Sequence, residues 1–339
     1  KKKKKNDGNN NHDFYPYAQI ERNQKPETLG FYIIHEGFIG VFDEATLVRL
    51  KWIQETLGPS MKATINRHGP INVFEIVEQG IHMGDECHAR HVASTSLLLK
   101  RLIPNMIEAG VSRKDVASVT RFMDENSHFF LNFTLAAVKV TMDSAHNVPY
   151  STIVTAMSRN GVDFMLRVAG LEDNWLVSPV SAMNKAVYYT GFSVENAAGD
   201  IGDSAIIETC GLGGMAITSA PSAVGFVGGT FSDAKAAIQK LDIITAARHN
   251  RFRMPGMDAR NTPLGIDLRR VVETRIVPFI TTGVLLETSR TIGQIGTGVA
   301  DVPITLFDQA LIALAKKWGI KTQLPALMTT VQSETEKVA

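Results

Sequence analysis

The segment HMGDECHARH, residues 82–91, sets His82, Asp85, Glu86, Cys87, His88 and His91 within ten positions. Imidazoles and carboxylates are the side chains that move protons near neutral pH or hold a divalent cation. On a helix, ligands converge at spacings of i, i+3 or i+4. His82/Glu86, Asp85/His88 and Cys87/His91 satisfy that spacing but project from different faces, and Gly84 interrupts the run. There is no H-E-x-x-H and no C-x-x-C, so neither a metal nor any other cofactor is expected. Asp85 suits the N-cap of a helix running to about Leu102, with Glu86 in a first turn that favours negative charge. Capping alone does not call for so many ionisable groups, so the wall of a polar active site stays open beside it.

Other stretches carry chemistry at lower density. In NSHFFLN, 126–132, His128 and Asn132 lie one helical turn apart among phenylalanines, which suits a core histidine or a site-facing amide. In SRNGVDFMLRV, 158–168, Arg159-Asn160-Gly161 reads as a turn. Asp163 and Arg167 share a strand face, as an ion pair or as the setting of an anion-binding arginine. In AAGDIGDSAIIETCGLGGMA, 197–216, Asp200, Asp203 and Glu208 are interleaved with glycines. Such loops cradle phosphate or carboxylate with backbone N–H groups, or serve close backbone packing. The pattern matches neither phosphate-loop signature. FVGGTFSDA, 226–234, sets Gly228, Gly229 and Thr230 between a strand and a helix, as an anion site or a plain turn capped by Ser232 or Asp233. Residues 251–274 mix five arginines with three acids, which reads as a salt-bridged surface or a carboxylate fork. No G-x-S-x-G elbow occurs.

The elements that must position these residues fall into two textures. Residues 43–146 read as five short helices. Asp43 caps the first, whose stripe is Leu47, Leu50, Ile53 and Leu57 and which Gly58-Pro59 ends. The second starts near Pro70, the third near Asp85, the fourth at the Ser112/Asp115 capping box and the fifth near Ser127. After Asn147 come short apolar runs at 164–169, 175–180, 186–189, 205–208, 223–227 and 276–281, with helices over about 232–250 and 305–318. Strands and helices do not alternate, so the expected class is α+β: a small all-helical domain followed by a mixed domain with Gly-rich loops. Nine of the 27 glycines fall in residues 191–230. The expected division is 1–42, a low-complexity tail with the remnant of an α/β segment, then 43–146 helical and 147–339 α+β.

Composition excludes several classes. The 339 residues carry a net charge of +1, with 44% hydrophobic and 20% charged residues, so neither nucleic acid nor a membrane surface is an expected partner. No long uninterrupted apolar run suggests a membrane span and no apolar leader is seen. Two cysteines far apart form no disulfide framework, which points to a reducing cytoplasm.

Taken in order, HMGDECH, HFFLN, STIVTAMSRNGVDF, DIGDSAIIET, FVGGT, TPLGIDLRRVVET and GQIGTG resemble the YlbE-like family, also called AllG, over roughly residues 30–318. The resemblance implies an α+β fold with a small helical insert. It also implies a subunit of oxamate carbamoyltransferase, interconverting oxalurate plus phosphate with oxamate plus carbamoyl phosphate in anaerobic allantoin breakdown. FdrA-like and AllH-like subunits are the implied partners, and a homo-oligomer stays open. The chain departs from the family where Ala89-Arg90-His91 replaces a usual Asn-Arg-Asn, and the resemblance implies a further N-terminal α/β domain, whereas little precedes GFYIIHEGFIG here. For such chemistry His82 or Glu86 is the expected base, with Asp85 orienting it. His88, Asn132, Arg159, Asn160, Asp200, Asp203 and Glu208 are expected to line the site, and Gly229 and Thr230 to hold phosphate. The competing reading is a non-catalytic assembly or anion-sensing subunit whose glycine-rich segments pack between chains.

Overall fold

A computed structural model describes residues 44–227, 229–287 and 293–320. The Asp43 cap and the 1–42 tail lie outside these residues. The first helix, α1 (Glu44–Trp52), passes through a π-turn, Ile53–Leu57, into α2 (Gly58–His68). Gly58-Pro59 therefore does not end it. The Gly58 amide bonds back to the Ile53 carbonyl, and Pro59 falls in the first turn of α2, where its missing N–H costs nothing. The π-turn also rotates the buried stripe, which runs Ile53, Leu57, Met61 and leaves Leu47 exposed.

Helix α3 (Val73–His82) starts after Asn72, whose side chain accepts the Glu75 amide, so Pro70 only precedes it. Helix α4 spans Val92–Glu108 and continues through Pro104, where a stop was expected. Helix α5 (Arg113–Asp124) opens on the expected Ser112 cap. Helix α6 is Leu131–Ser144, with Val138 facing the core and Val140 exposed.

The remainder is antiparallel, which agrees with the α+β class. A four-stranded sheet has the order β3 (Trp175–Pro179), β2 (Asp163–Val168), β1 (Val154–Asn160), β5 (Ile201–Gly202). A three-stranded sheet has the order β4 (Lys185–Tyr188), β9 (Gln294–Asp301), β8 (Phe279–Leu285), and β6 (Thr245–Met254) pairs with β7 (Arg260–Ile266). Helices α7 (Ile206–Thr209), α8 (Phe231–Ile244), α9 (Leu268–Thr274) and α10 (Ile304–Lys317) complete the chain order. Residues 205–208 and 223–227, expected as strands, are helical turns. The helix expected to reach residue 250 ends at Ile244, and the chain passes directly into β6.

Two large cores form. The first joins Leu57, Ile76, Leu98 and Phe129 of the helical part to Ala156, Ile206, Leu212 and Phe252. The second gathers Leu166, Ile238, Ile266 and Phe307. The first core thus seals the helical part onto the sheet-bearing part by burying apolar surface from both.

Candidate functional site

The segment 82–91 is not the start of a helix. His82 ends α3 and is exposed, in the last turn where a basic group suits the dipole. Gly84 and Cys87 then take left-handed backbone, φ 105° and 64°, and turn the chain. Helix α4 begins only at Val92. Asp85 nonetheless caps it from outside the turn: the Ala93 and Ser94 amides donate to its carboxylate at 3.2 and 2.7 Å, and the Ser94 hydroxyl at 2.8 Å. Burial pushes the Asp85 carboxyl up in pKa, opposed by these bonds. It does not orient His82. Gly80 is required beside it, because a Cβ there would run into Ser94 Oγ.

Glu86 points inward and is fully buried. Its Oε1 accepts the Arg90 amide at 2.7 Å and the His88 amide at 3.2 Å, and its Oε2 accepts the Thr281 hydroxyl at 3.2 Å. Its carbonyl receives the Gly213 amide at 2.7 Å. The His88 ring stands 2.7 Å from Glu208 Oε1 through Nδ1. That oxygen also accepts the Thr281 amide at 3.1 Å and the Gly214 amide at 3.2 Å. Glu208 Oε2 is buried with no hydrogen-bond partner among the described residues. Two buried carboxylates and one imidazole are thus held by backbone amides and one threonine. Burial raises the Glu86 carboxyl from 4.5 to about 7, with the charge of Glu208 adding to the rise and that of His88 opposing it. A carboxyl near 7 both donates and accepts a proton at neutral pH.

A second buried cluster lies across β8. Arg159 donates from Nε to Asp200 at 2.8 Å, from Nη1 to the Gly202 carbonyl at 3.1 Å and Ser204 at 3.4 Å, and from Nη2 to Thr282 at 2.8 Å. Thr282 in turn donates to Asp200 at 3.0 Å. Threonines 281 and 282 are neighbours on a strand, so their side chains face opposite sides and serve separate clusters. The guanidinium and Asp200 are committed to each other and to protein groups, so neither presents a free fork to a substrate.

Several expected site residues stand apart. Asn160 accepts the Val162 and Asp163 amides in the β1–β2 turn, at 3.0 and 2.6 Å. Asn132 bonds its own helix start at Phe129 O, 3.1 Å away. Asp203 is half-buried in a short helical turn. Gly229 and Thr230 are exposed, and Thr230 forms a reciprocal capping box with Asp233 that fills the N-terminus of α8 with a carboxylate. That is a poor place for phosphate. Arg167 pairs with Asp143 at 2.7 Å rather than with Asp163. Arg251 and Arg269 pair with Glu78 and Asp267, as a salt-bridged surface requires.

Thr281, Thr282 and Ser94 were not anticipated. ITTGV offers no signal beyond strand propensity, and their roles arise only where β8 meets 86 and 208. The glycines at 213 and 214 serve close packing: a Cβ on Gly213 would meet Glu208 and lie 2.9 Å from His88 Cβ, and one on Gly214 would lie 2.8 Å from Phe279. The run 211–220 is buried within this chain, so it is not open to pack against another one.

Fold and site together define an α+β protein in which a helical bundle and antiparallel sheets clasp a buried carboxylate–imidazole–carboxylate group. The chain belongs to the AllG family, described as oxamate carbamoyltransferase subunit AllG, whose model matches residues 20–204. It is 40% identical over 283 residues to oxamate carbamoyltransferase subunit AllG of Escherichia coli K12, covering 83% of this chain and 67% of that one. It is 35% identical to the uncharacterized protein YahG of the same strain, covering 83% of this chain and 59% of YahG. A crystal structure of a conserved protein of unknown function from Enterococcus faecalis V583 superposes with a TM-score of 0.75 at 35% identity, covering 81% of this chain and 65% of that one. The chain therefore spans about two thirds of the length of these relatives, or less.

Proposed function

We propose that this chain is a subunit of a carbamoyltransferase that interconverts oxalurate plus phosphate with oxamate plus carbamoyl phosphate. The observation that carries the reading on the structural side is the buried Glu86, its carboxyl held near neutrality beside His88 and Glu208. The name of the E. coli relative supplies the substrate class. In the forward direction a phosphate oxygen attacks the carbamoyl carbon, the C–N bond to oxamate breaks, and the departing nitrogen takes a proton. The proton lost by phosphate balances it. Protonated Glu86 is the donor, and in reverse its carboxylate takes a proton from the weakly nucleophilic oxamate amide. His88 positions Glu208, and the Gly213 and Gly214 amides fix the loop opposite. Of the two expected bases, Glu86 takes the role and the exposed His82 does not. FdrA-like and AllH-like subunits complete the enzyme in the cytoplasm, in allantoin breakdown. Among the described residues no helix is long and apolar enough to cross a membrane.

The test is carbamoyl phosphate formation from oxalurate and phosphate by the full chain with its partner subunits. Glu86→Gln is expected to lower kcat by about 100-fold or more, in the range of lost general acid–base catalysis. His82→Ala is expected to leave it unchanged. Full turnover in Glu86→Gln would remove the assignment.

A further inference from the structure

The same segment that buries Glu86 also shapes a surface pocket that the acid–base cluster does not use. Its volume is about 160 Å3, and it is bounded by Ala89, Arg90 and Val92 at the start of α4, Ser127 and His128 ahead of α6, and Ser222 with its neighbour Ala223. Three separate stretches of chain therefore converge on it. Among the described residues its lining holds a guanidinium, an imidazole and two hydroxyls, and no carboxylate.

Arg90 is held in place on one side. Its Nε donates to the Gly84 carbonyl at 3.1 Å and lies 3.7 Å from an Asp85 oxygen. Asp85 does not form a close fork with it, because both its oxygens already accept α4 amides. The terminal nitrogens of Arg90 make no hydrogen bond to the described residues beyond this. A planar guanidinium with its fork open is the donor best matched to a carboxylate.

Size narrows the ligand. Pockets for drug-sized or nucleotide ligands run from about 300 Å3 upward, and this one holds roughly the share of five waters. An anion of a few heavy atoms fits and a nucleotide does not. The pocket is also adjacent to the acid: the amide of Arg90 is the one that donates to Glu86 at 2.7 Å. A carboxylate seated here pulls on the residue whose backbone holds the buried carboxyl.

We propose that this pocket is the subsite for the carboxylate of a small organic acid, with Arg90 as its principal donor and Ser127, Ser222 and His128 completing the shell. The identification of that acid as oxamate rests on the carbamoyltransfer reading, whereas the subsite itself rests on the pocket.

The experiment is calorimetric titration of the full chain with oxamate and acetate, with acetamide as the uncharged control. Arg90→Gln removes the fork, Arg90→Lys keeps the charge without it, and Ala223→Leu fills the pocket without touching Arg90. Circular dichroism and Tm confirm that each variant is folded. Oxamate binding is expected to weaken at least tenfold in Arg90→Gln and in Ala223→Leu, with a smaller loss in Arg90→Lys and no acetamide binding. Unchanged carboxylate affinity in both Arg90→Gln and Ala223→Leu overturns the proposal, and so does a parent protein that binds no carboxylate. Pocket-dependent acetate binding without oxamate binding upholds the subsite and counts against oxamate as the substrate.

Discussion

At the scale of single residues, the buried Glu86, to which we assign the proton transfer, leaves a signature in stability. Folding favours its protonated form, because burial raises the carboxyl from 4.5 to about 7 and Glu208 lies nearby, with His88 opposing. The sign follows from linkage: the contribution is complete below about 4.5 and is lost as pH rises through about 7. At about 1.4 kcal/mol per pH unit, this is on the order of 3 kcal/mol. Glu86→Gln cannot ionise and does not carry this loss. Urea denaturation at pH 5 and pH 8 is expected to show the variant gaining on the parent at the higher pH, and an equal difference at both would refute the buried titration. The thiols carry no comparable chemistry. Burial pushes Cys210 up to about 12 and raises Cys87 as well, so neither is a ready nucleophile.

At the scale of elements, two helix starts make opposite points about the same motif class. Helix α4 is capped by Asp85, which is buried and lies seven residues before Val92, while α8 is capped at the surface by Thr230. Asp85→Ala leaves two α4 amides and the Ser94 hydroxyl without their acceptor inside the protein and is expected to cost about 2–3 kcal/mol. Thr230→Ala, with water at hand, is expected to cost about 1 kcal/mol. Urea unfolding of the two variants reads the order, and equal losses would show that Asp85 is not a buried cap. Because Thr230 closes a capping box, Thr230→Ala is also expected to leave phosphate-dependent turnover unchanged in the assay with partner subunits. A tenfold rise in the KM for phosphate would return it to the site.

At the scale of the whole molecule, the two parts share rather than divide their interior. The first core takes residues from α2 through α6 together with β1, β6 and α7, and the Glu86–His88–Glu208–Thr281 group lies across the same seam. Shared burial couples the parts, so they are expected to unfold in one transition. Far-UV circular dichroism, dominated by the helices, and fluorescence from Trp52, Trp175 and Trp318 should give one denaturation midpoint. Two separated midpoints would show that the seam does not carry the coupling.

Much of this was legible in the residues themselves. The α+β class, the Ser112 cap, the density of ionisable groups at 82–91 and the glycine concentration near 211–214 follow from local pattern, as propensity, capping and spacing act over a few residues. The line of descent was legible too, since seven separate motifs in order resemble one family and the chain belongs to it. What local pattern does not contain is which way a side chain turns once distant segments meet. His82 and Glu86 are four residues apart, yet Gly84 and Cys87 send one to solvent and the other into the core. Glu208 becomes the partner of His88, 120 residues away, and Thr281 bonds to Glu86 across 195. Arg159 and Asp200, which read as ligand groups, close on each other because the fold buries both and a buried charge needs its partner. The sequence by itself determined the inventory of acids, imidazoles and glycines; the tertiary structure decided which of them gather into the buried cluster, because only long-range burial removes water and so shifts a carboxyl or forces two charges to pair.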